Sequence, residues 1–284
     1  MKITRVVTRD DSIVYGVLQD DGSVTRLSGD LFAAATDTGV EVDAVKTLAP
    51  VVPCDIFCIG LNYARHAAEG GKPAPDLPVV FMKSTAAVQN PGDPIVLPRR
   101  LRSDRVDYEC ELVVVIGREC KNVKASSALE YVLGYTVGND VSARDWQRNG
   151  GGGQWIRGKS FDTFAPLGPA LVTTDEIADP QKLGLRTRVN GQTLQDWTTG
   201  DMIFSVAKLI EFLSGSTTLK PGTAIFTGTP HGVGFARTPP LFLQPGDEVT
   251  VEIDGIGSLT NPVIEEAEVE ELVALDSDGG KLQF

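Results

Sequence analysis

Three features of the 284-residue chain predict an α+β, β-rich fold, a sandwich or roll with helices at its periphery. Short apolar runs rich in β-branched residues recur along the chain with turn dipeptides between them, including Asn190-Gly191, Pro221-Gly222 and Pro245-Gly246. The 30 glycines and 17 prolines make up about one residue in six, against roughly one in eight on average, which excludes a helical bundle. Only Phe204–Leu213, FSVAKLIEFL, carries a clear amphipathic helical period.

In chain order, Ile3, Val6 and Val7 mark a first strand and Ile13–Leu18 a second. The Asp20–Gly22 turn leads into a third at Val24–Leu27. These form a small β-rich N-terminal domain, residues 1–52. Residues 28–55 read as helix and loop leading to Pro53, and a larger domain, residues 53–284, opens with the apolar strand IFCIG. Its further strands are expected at Val79–Met82, Tyr108–Ile116, Ala170–Thr173, Leu185–Val189, Ala224–Thr227 and Glu248–Ile253. Shorter helices are expected at Tyr63–Glu69, Ser126–Tyr131 and Ser142–Gln147.

The net charge of −12 is uneven: residues 264–284 carry seven acids against one lysine, half of the imbalance. An acidic chain without basic clusters is repelled by phosphate backbones and anionic lipid, so neither nucleic acid nor a membrane is an expected partner and a small molecule is. Four scattered cysteines form no disulfide framework. The N-terminus lacks the apolar core, about 7 to 15 residues, of a secretory signal. A cytoplasmic location is expected, or the mitochondrial matrix after removal of a transit peptide.

Gly153–Ser160 matches the G-x-x-x-x-G-K-[ST] string of a phosphate-binding loop. That loop needs a buried strand before it and a helix starting at its Lys-Ser, whereas RDWQRNGGG precedes it and Pro166 and Pro169 follow, so nucleotide binding is not expected. Glu109-Cys110-Glu111 opens an apolar run, and alternation places both carboxylates on one face of a strand. They read either as an exposed strand start or as half of a metal site. Asp140 follows the apolar segment YTVGND and reads either as a helix cap or as a third carboxylate. Three converging carboxylates suit Mg²⁺ or Mn²⁺, and two histidines are too few for a zinc site of several imidazoles. His66 and Glu69 stand i, i+3 on a helical turn, either a solvated surface pair or a dyad in which Glu69 raises the basicity of His66. Gly70–Pro75 reads as a flexible lid segment. In the glycine-rich turn around His231, backbone amides and Thr229 are better ligand contacts than the imidazole.

Together, G-L-N-Y-x-x-H-x-x-E, D-Y-E-C-E-L-x-V-V-I-G, G-N-D-V-S-A-R-D-W-Q, G-K-S-F-D-T-F-x-P-L-G-P and T-G-T-P-x-G-V-G, in that order over residues 55–263, resemble the fumarylacetoacetate hydrolase superfamily. The similarity is greatest to its branch of acylpyruvate hydrolases, oxaloacetate decarboxylases and tautomerases, and hydroxymuconate-type isomerases. The resemblance implies a mixed β-sandwich roll, a homodimer, and Mg²⁺ or Mn²⁺ held by Glu109, Glu111 and Asp140. It implies a general-base dyad of His66 and Glu69, with Lys159 beside it in catalysis, and substrate oxygens bound by Arg144, Gln147, Lys159 and Thr229. The implied activity is on small 2-oxo or 1,3-dicarbonyl carboxylates through a metal-bound enolate, in the first place hydrolysis of a carbon-carbon bond, and otherwise decarboxylation, tautomerisation or isomerisation. The founding hydrolase has a further metal carboxylate shortly before its catalytic histidine. Residues 56–65 hold no Asp or Glu, which favours the smaller acylpyruvate or oxaloacetate class.

Overall fold

Every residue of the strand Cys110–Ile116 is buried, and a strand covered on both faces belongs in the middle of a sheet. It lies there in the computed structural model of the chain, which describes residues 1–71, 73–267 and 272–274. The strand pairs antiparallel with Val132–Asn139 on one side and Ala224–Phe226 on the other. Beyond Ala224–Phe226 come Ile56–Gly60, parallel to it, and then Val79–Lys83 at the sheet edge. In the other direction Val132–Asn139 pairs with Ala165–Thr173, which pairs in turn with the N-terminal strand Lys2–Thr8. The meander Ile13–Leu18, Val24–Gly29, Ala35–Glu41 completes the order.

A second sheet runs in the order Gln192–Thr198, Gly184–Val189, Glu248–Ile253, Gly257–Glu265, Ile95–Leu97. Its Leu185, Val251, Ile253 and Leu259 share one hydrophobic core with Leu112, Val137 and Leu167 of the first sheet. Burial of two apolar sheet faces against each other produces the predicted β-rich sandwich roll. The expected amphipathic helix spans Val206–Ser214, and the Ser205 hydroxyl caps it by accepting from Lys208 N.

Residues 28–55 depart from the expectation of helix and loop, because the chain forms two more strands there, Ala35–Glu41 and Ala44–Leu48. Both are largely exposed, with Val40 and Val45 facing solvent. Without a buried face they show no alternation, and it is backbone pairing with Val24–Gly29 and Lys2–Thr8 that holds them. The N-terminal unit also shares a core with the large sheet, where Ile3, Val17, Leu27, Leu31 and Val51 pack with Val115 and Leu171.

The helix expected over Ser142–Gln147 begins later: Ser142–Ala143 pairs with Val106–Asp107, and the helix runs Arg144–Arg148. A second short helix, Ile156–Lys159, lies against it. Their closest approach is at Gly158, where a Cβ would stand 2.4 Å from Gln147 N and 2.7 Å from Ala143 O. This helix ends at Lys159, where a phosphate loop requires one to begin, and the strand Ala165–Thr173 follows. Most of the acidic segment 264–284, and Lys72 of the expected lid, lie outside the described residues.

Candidate active site

Glu109 precedes the central strand and Glu111 lies within it, so the two leave the same face. Cys110 pairs with Asn139 in the antiparallel register, which sets Asp140 beside Glu109, with Asp140 N donating to Glu109 O at 2.9 Å. One carboxylate oxygen from each of Glu109, Glu111 and Asp140 lies within 4.8 Å of the others. All three residues are buried, as is the whole of 106–116, so the reading of Glu109-Cys110-Glu111 as an exposed strand start does not hold.

An all-oxygen donor set suits Mg²⁺ or Mn²⁺. Two observations fit a cation among these residues. Asp140 Oδ1 is buried and receives no aligned hydrogen bond, although Lys83 Nζ lies 2.7 Å from it. Burial, together with the charges of Asp140 and Glu109, pushes the Glu111 carboxyl well above its ordinary range, a repulsion that a divalent cation would relieve.

Cations brace the remaining carboxylate oxygens. Lys159 Nζ donates to Glu109 Oε2 at 2.9 Å and to Asp140 Oδ2 at 2.6 Å. Arg144 donates through Nε to Asp107 Oδ2, through Nη2 to Glu109 Oε1 and through Nη1 to Gln147 Oε1. Burial opposes ionisation of Glu109, but Lys159 and then Arg144 outweigh it and hold the carboxyl far below its ordinary range. Lys159, Arg144 and Gln147, expected to meet substrate, thus line the cavity while bonded among themselves and to the site's acids.

Asp107, Tyr108 and Lys83 were given no role at the site from the sequence. Asp107 accepts from the amides of Tyr108, Gly234 and Phe235 as well as from Arg144. Tyr108 donates its hydroxyl to Gly232 O at 3.1 Å. Lys83, with its side chain fully buried, also donates to the carbonyls of Val141 and Lys159. The available signal was the run Asp107-Tyr108 leading into the two glutamates, since polar residues that open a buried strand need partners.

His66 lies on the helix Ala64–Glu69 and is buried, so it is not one half of a solvated surface pair. Its Nδ1 meets Glu69 Oε2 at 3.2 Å, and Gly232 N donates to Glu69 Oε1 at 3.0 Å. Burial raises the Glu69 carboxyl, but the bonds from His66 and Gly232 outweigh it and hold the group below its ordinary value. A neutral imidazole that donates Nδ1–H to this carboxylate would carry its lone pair on Nε2, and His66 lines the cavity.

The glycine-rich turn works through its backbone. Gly228 N donates to Glu111 Oε2 at 2.7 Å. Its φ of +97° and the 2.8 Å from a built Cβ to Asn62 Cβ require glycine there. The Thr229 hydroxyl donates to Cys110 O and accepts from Gln195 Nε2, while the residue lines the cavity. His231 stands apart, edge-on to Trp197. The cavity holds about 150 Å³ and joins these groups to an apolar wall of Ile59, Leu61, Phe81 and Trp155, with Phe235 and the exposed Arg148 also in its lining.

Comparison with known proteins places this geometry. The family model described as fumarylacetoacetate (FAA) hydrolase C-terminal matches residues 55–264, and the one described as Rv2993c-like, N-terminal matches residues 1–50. The chain is 49% identical over 233 residues to the fumarylacetoacetate hydrolase domain-containing protein 2 homolog of Dictyostelium discoideum, covering 79% of this chain and 76% of that protein. It is 49% identical over 221 residues to the mitochondrial oxaloacetate tautomerase fahd2 of Xenopus laevis, covering 78% and 70%. Among solved structures, the 5-carboxymethyl-2-hydroxymuconate delta-isomerase of Mycobacterium smegmatis superposes with a TM-score of 0.82 at 40% identity, over 94% of this chain and 100% of that one. With its five motifs gathered on one sandwich roll, the chain belongs to the fumarylacetoacetate hydrolase family.

Proposed function

We propose that this protein catalyses keto-enol tautomerisation of a small 2-oxo carboxylate of the oxaloacetate class, with Mg²⁺ or Mn²⁺ held by Glu109, Glu111 and Asp140. The observation that carries the reading is that His66, with Glu69 bonded behind it, and the buried carboxylate cluster line one cavity. A cation bound there would polarise the substrate's keto oxygen as a Lewis acid. Glu69 fixes the imidazole by accepting from Nδ1, and Nε2 takes a proton from the carbon beside the keto group. The electron pair of that C–H bond becomes the carbon-carbon double bond as the carbonyl π pair moves onto oxygen, and the protonated His66 returns its proton to that oxygen to give the enol. The reverse transfer returns the ketone, so no water is consumed. Arg144 and Lys159 keep Glu109 ionised and in place throughout.

The carbon-carbon hydrolysis implied first by the sequence needs, beyond this proton transfer, a water positioned against a second carbonyl. Tautomerisation needs no such water, and the names of the Xenopus and Mycobacterium relatives, a tautomerase and an isomerase, support it. The test is to mix enol oxaloacetate with the Mg²⁺-loaded protein and follow the ultraviolet absorbance of the enol together with product identity. Ketone should form without pyruvate as the main product, and His66→Ala should slow it by roughly 10²- to 10⁴-fold, the usual contribution of a placed base. Pyruvate as the main product, or full activity in His66→Ala, would overturn the reading.

A further inference from the structure

Arg144 and Arg148 stand four residues apart on one short helix, so their side chains leave the same face. Their guanidinium carbons lie 4.5 Å and 4.7 Å from the centroid of the Phe235 ring. What neutralises them differs. Arg144 is bonded to Asp107, Glu109 and Gln147, and Lys159 bridges Glu109 and Asp140. Arg148 lines the same cavity at its exposed rim, and among the described residues no carboxylate or carbonyl pairs with it. Burial, then the charges of Arg144 and Arg105, work against its positive charge. A guanidinium lined up on an aromatic face is a rigid fork, suited to receive both oxygens of a carboxylate at once.

We propose that Arg148 binds a second carboxylate of the substrate, at the end remote from the 2-oxo acid group, and so selects dicarboxylates over monocarboxylates. The inference rests on the function proposed above for which end of the substrate faces the acids. Phe235 lies against the guanidinium, while Arg144 and Lys159 are already bonded to the site's acids. An acyl tail without charge would leave Arg148 unpaired.

The test titrates malate and lactate calorimetrically into the Mg²⁺-loaded protein, since the two share a 2-hydroxy acid head and differ in the second carboxylate. Malate should bind at least tenfold tighter than lactate. Arg148→Gln should weaken malate by tenfold or more and leave lactate unchanged, which also reports an intact fold. Arg148→Lys should restore only part of the loss, because an ammonium cannot match the fork. In turnover of oxaloacetate, the Gln variant should show its loss in KM. Equal affinities for malate and lactate, or a variant that weakens both alike or neither, would overturn the proposal. Malate preference lost in Arg148→Gln without any tautomerase activity would sink the proposed function and leave the carboxylate subsite standing, whereas activity without malate preference would do the reverse.

Discussion

Among the described residues no cation is bonded to Glu111. Lys159 and Arg144 bond Glu109, Lys159 and Lys83 meet Asp140, and Glu111 accepts from the Gly228 amide. Its raised pKa means that the metal-free folded chain holds a proton which the unfolded chain releases above about 4.5. The folded state then binds more protons than the unfolded one, so metal-free stability should fall as pH rises from that value toward the folded pKa. Metal and proton compete for the same oxygens, so Mg²⁺ or Mn²⁺ affinity should climb with pH over that window, with a proton released on binding. Titrations in buffers of different ionisation enthalpy measure that release, and heats independent of buffer at the lower end of the window would contradict it. Glu111→Gln keeps an acceptor for Gly228 and removes the repulsion. Its metal-free melting temperature should be no lower than the parent's, while Mn²⁺ affinity should drop by more than about 100-fold, beyond the usual effect of losing an outer partner. At this scale the sequence was readable where spacing is local, as with Glu109 and Glu111 or His66 and Glu69. Asp107 and Lys83 were unreadable because their partners stand far along the chain: Gly234 is 127 residues from Asp107, and the Lys159 carbonyl is 76 from Lys83.

Lys159 reaches the acids because two short helices touch at Gly158, and neither helix is long enough to be stable without tertiary packing. Gly158→Ala would press a methyl against the backbone of Ala143 and Gln147, which overpacking data put at about 1 to 3 kcal/mol. The denaturant midpoint should fall accordingly, and the displaced helix should carry Lys159 away from Glu109, so activity should drop further than stability alone explains. An unchanged midpoint would show that the helices can separate freely. The same scale shows which elements the pattern can reveal. The hairpin of Gly184–Val189 and Gln192–Thr198 turns on Asn190-Gly191, with φ of 51° and 78°, a sign legible in the dipeptide even though its second strand was not anticipated. Ala35–Glu41 and Ala44–Leu48 bury little beyond Leu48, and a strand held mainly by backbone pairing leaves little trace in hydrophobic pattern.

The division expected near residue 52 rests on the pattern of apolar runs before and after Pro53, and the large sheet takes strands from both sides of it. Lys2–Thr8 pairs along Ala165–Thr173, with Lys2 opposite Val172 and Ile3 opposite Leu171. On the same side of the molecule Ile3, Val17 and Leu27 close over Val115, a residue of the strand that carries Glu111. If the two parts were only tethered, heating would separate them, because a meander of exposed strands has a small core of its own. The continuous ladder and shared core instead couple the N-terminal unit to the strand behind the active site. Calorimetry should therefore show one transition whose van't Hoff and calorimetric enthalpies agree. Ile3→Ala removes a buried side chain at that seam, at a cost of about 2 to 5 kcal/mol. It should move the whole transition to lower temperature and should lower Mn²⁺ affinity little while the chain remains folded. Two resolved transitions, with Ile3→Ala shifting only the first, would show that the N-terminal strands melt alone and that the sheet's continuity carries no cooperativity across residue 52.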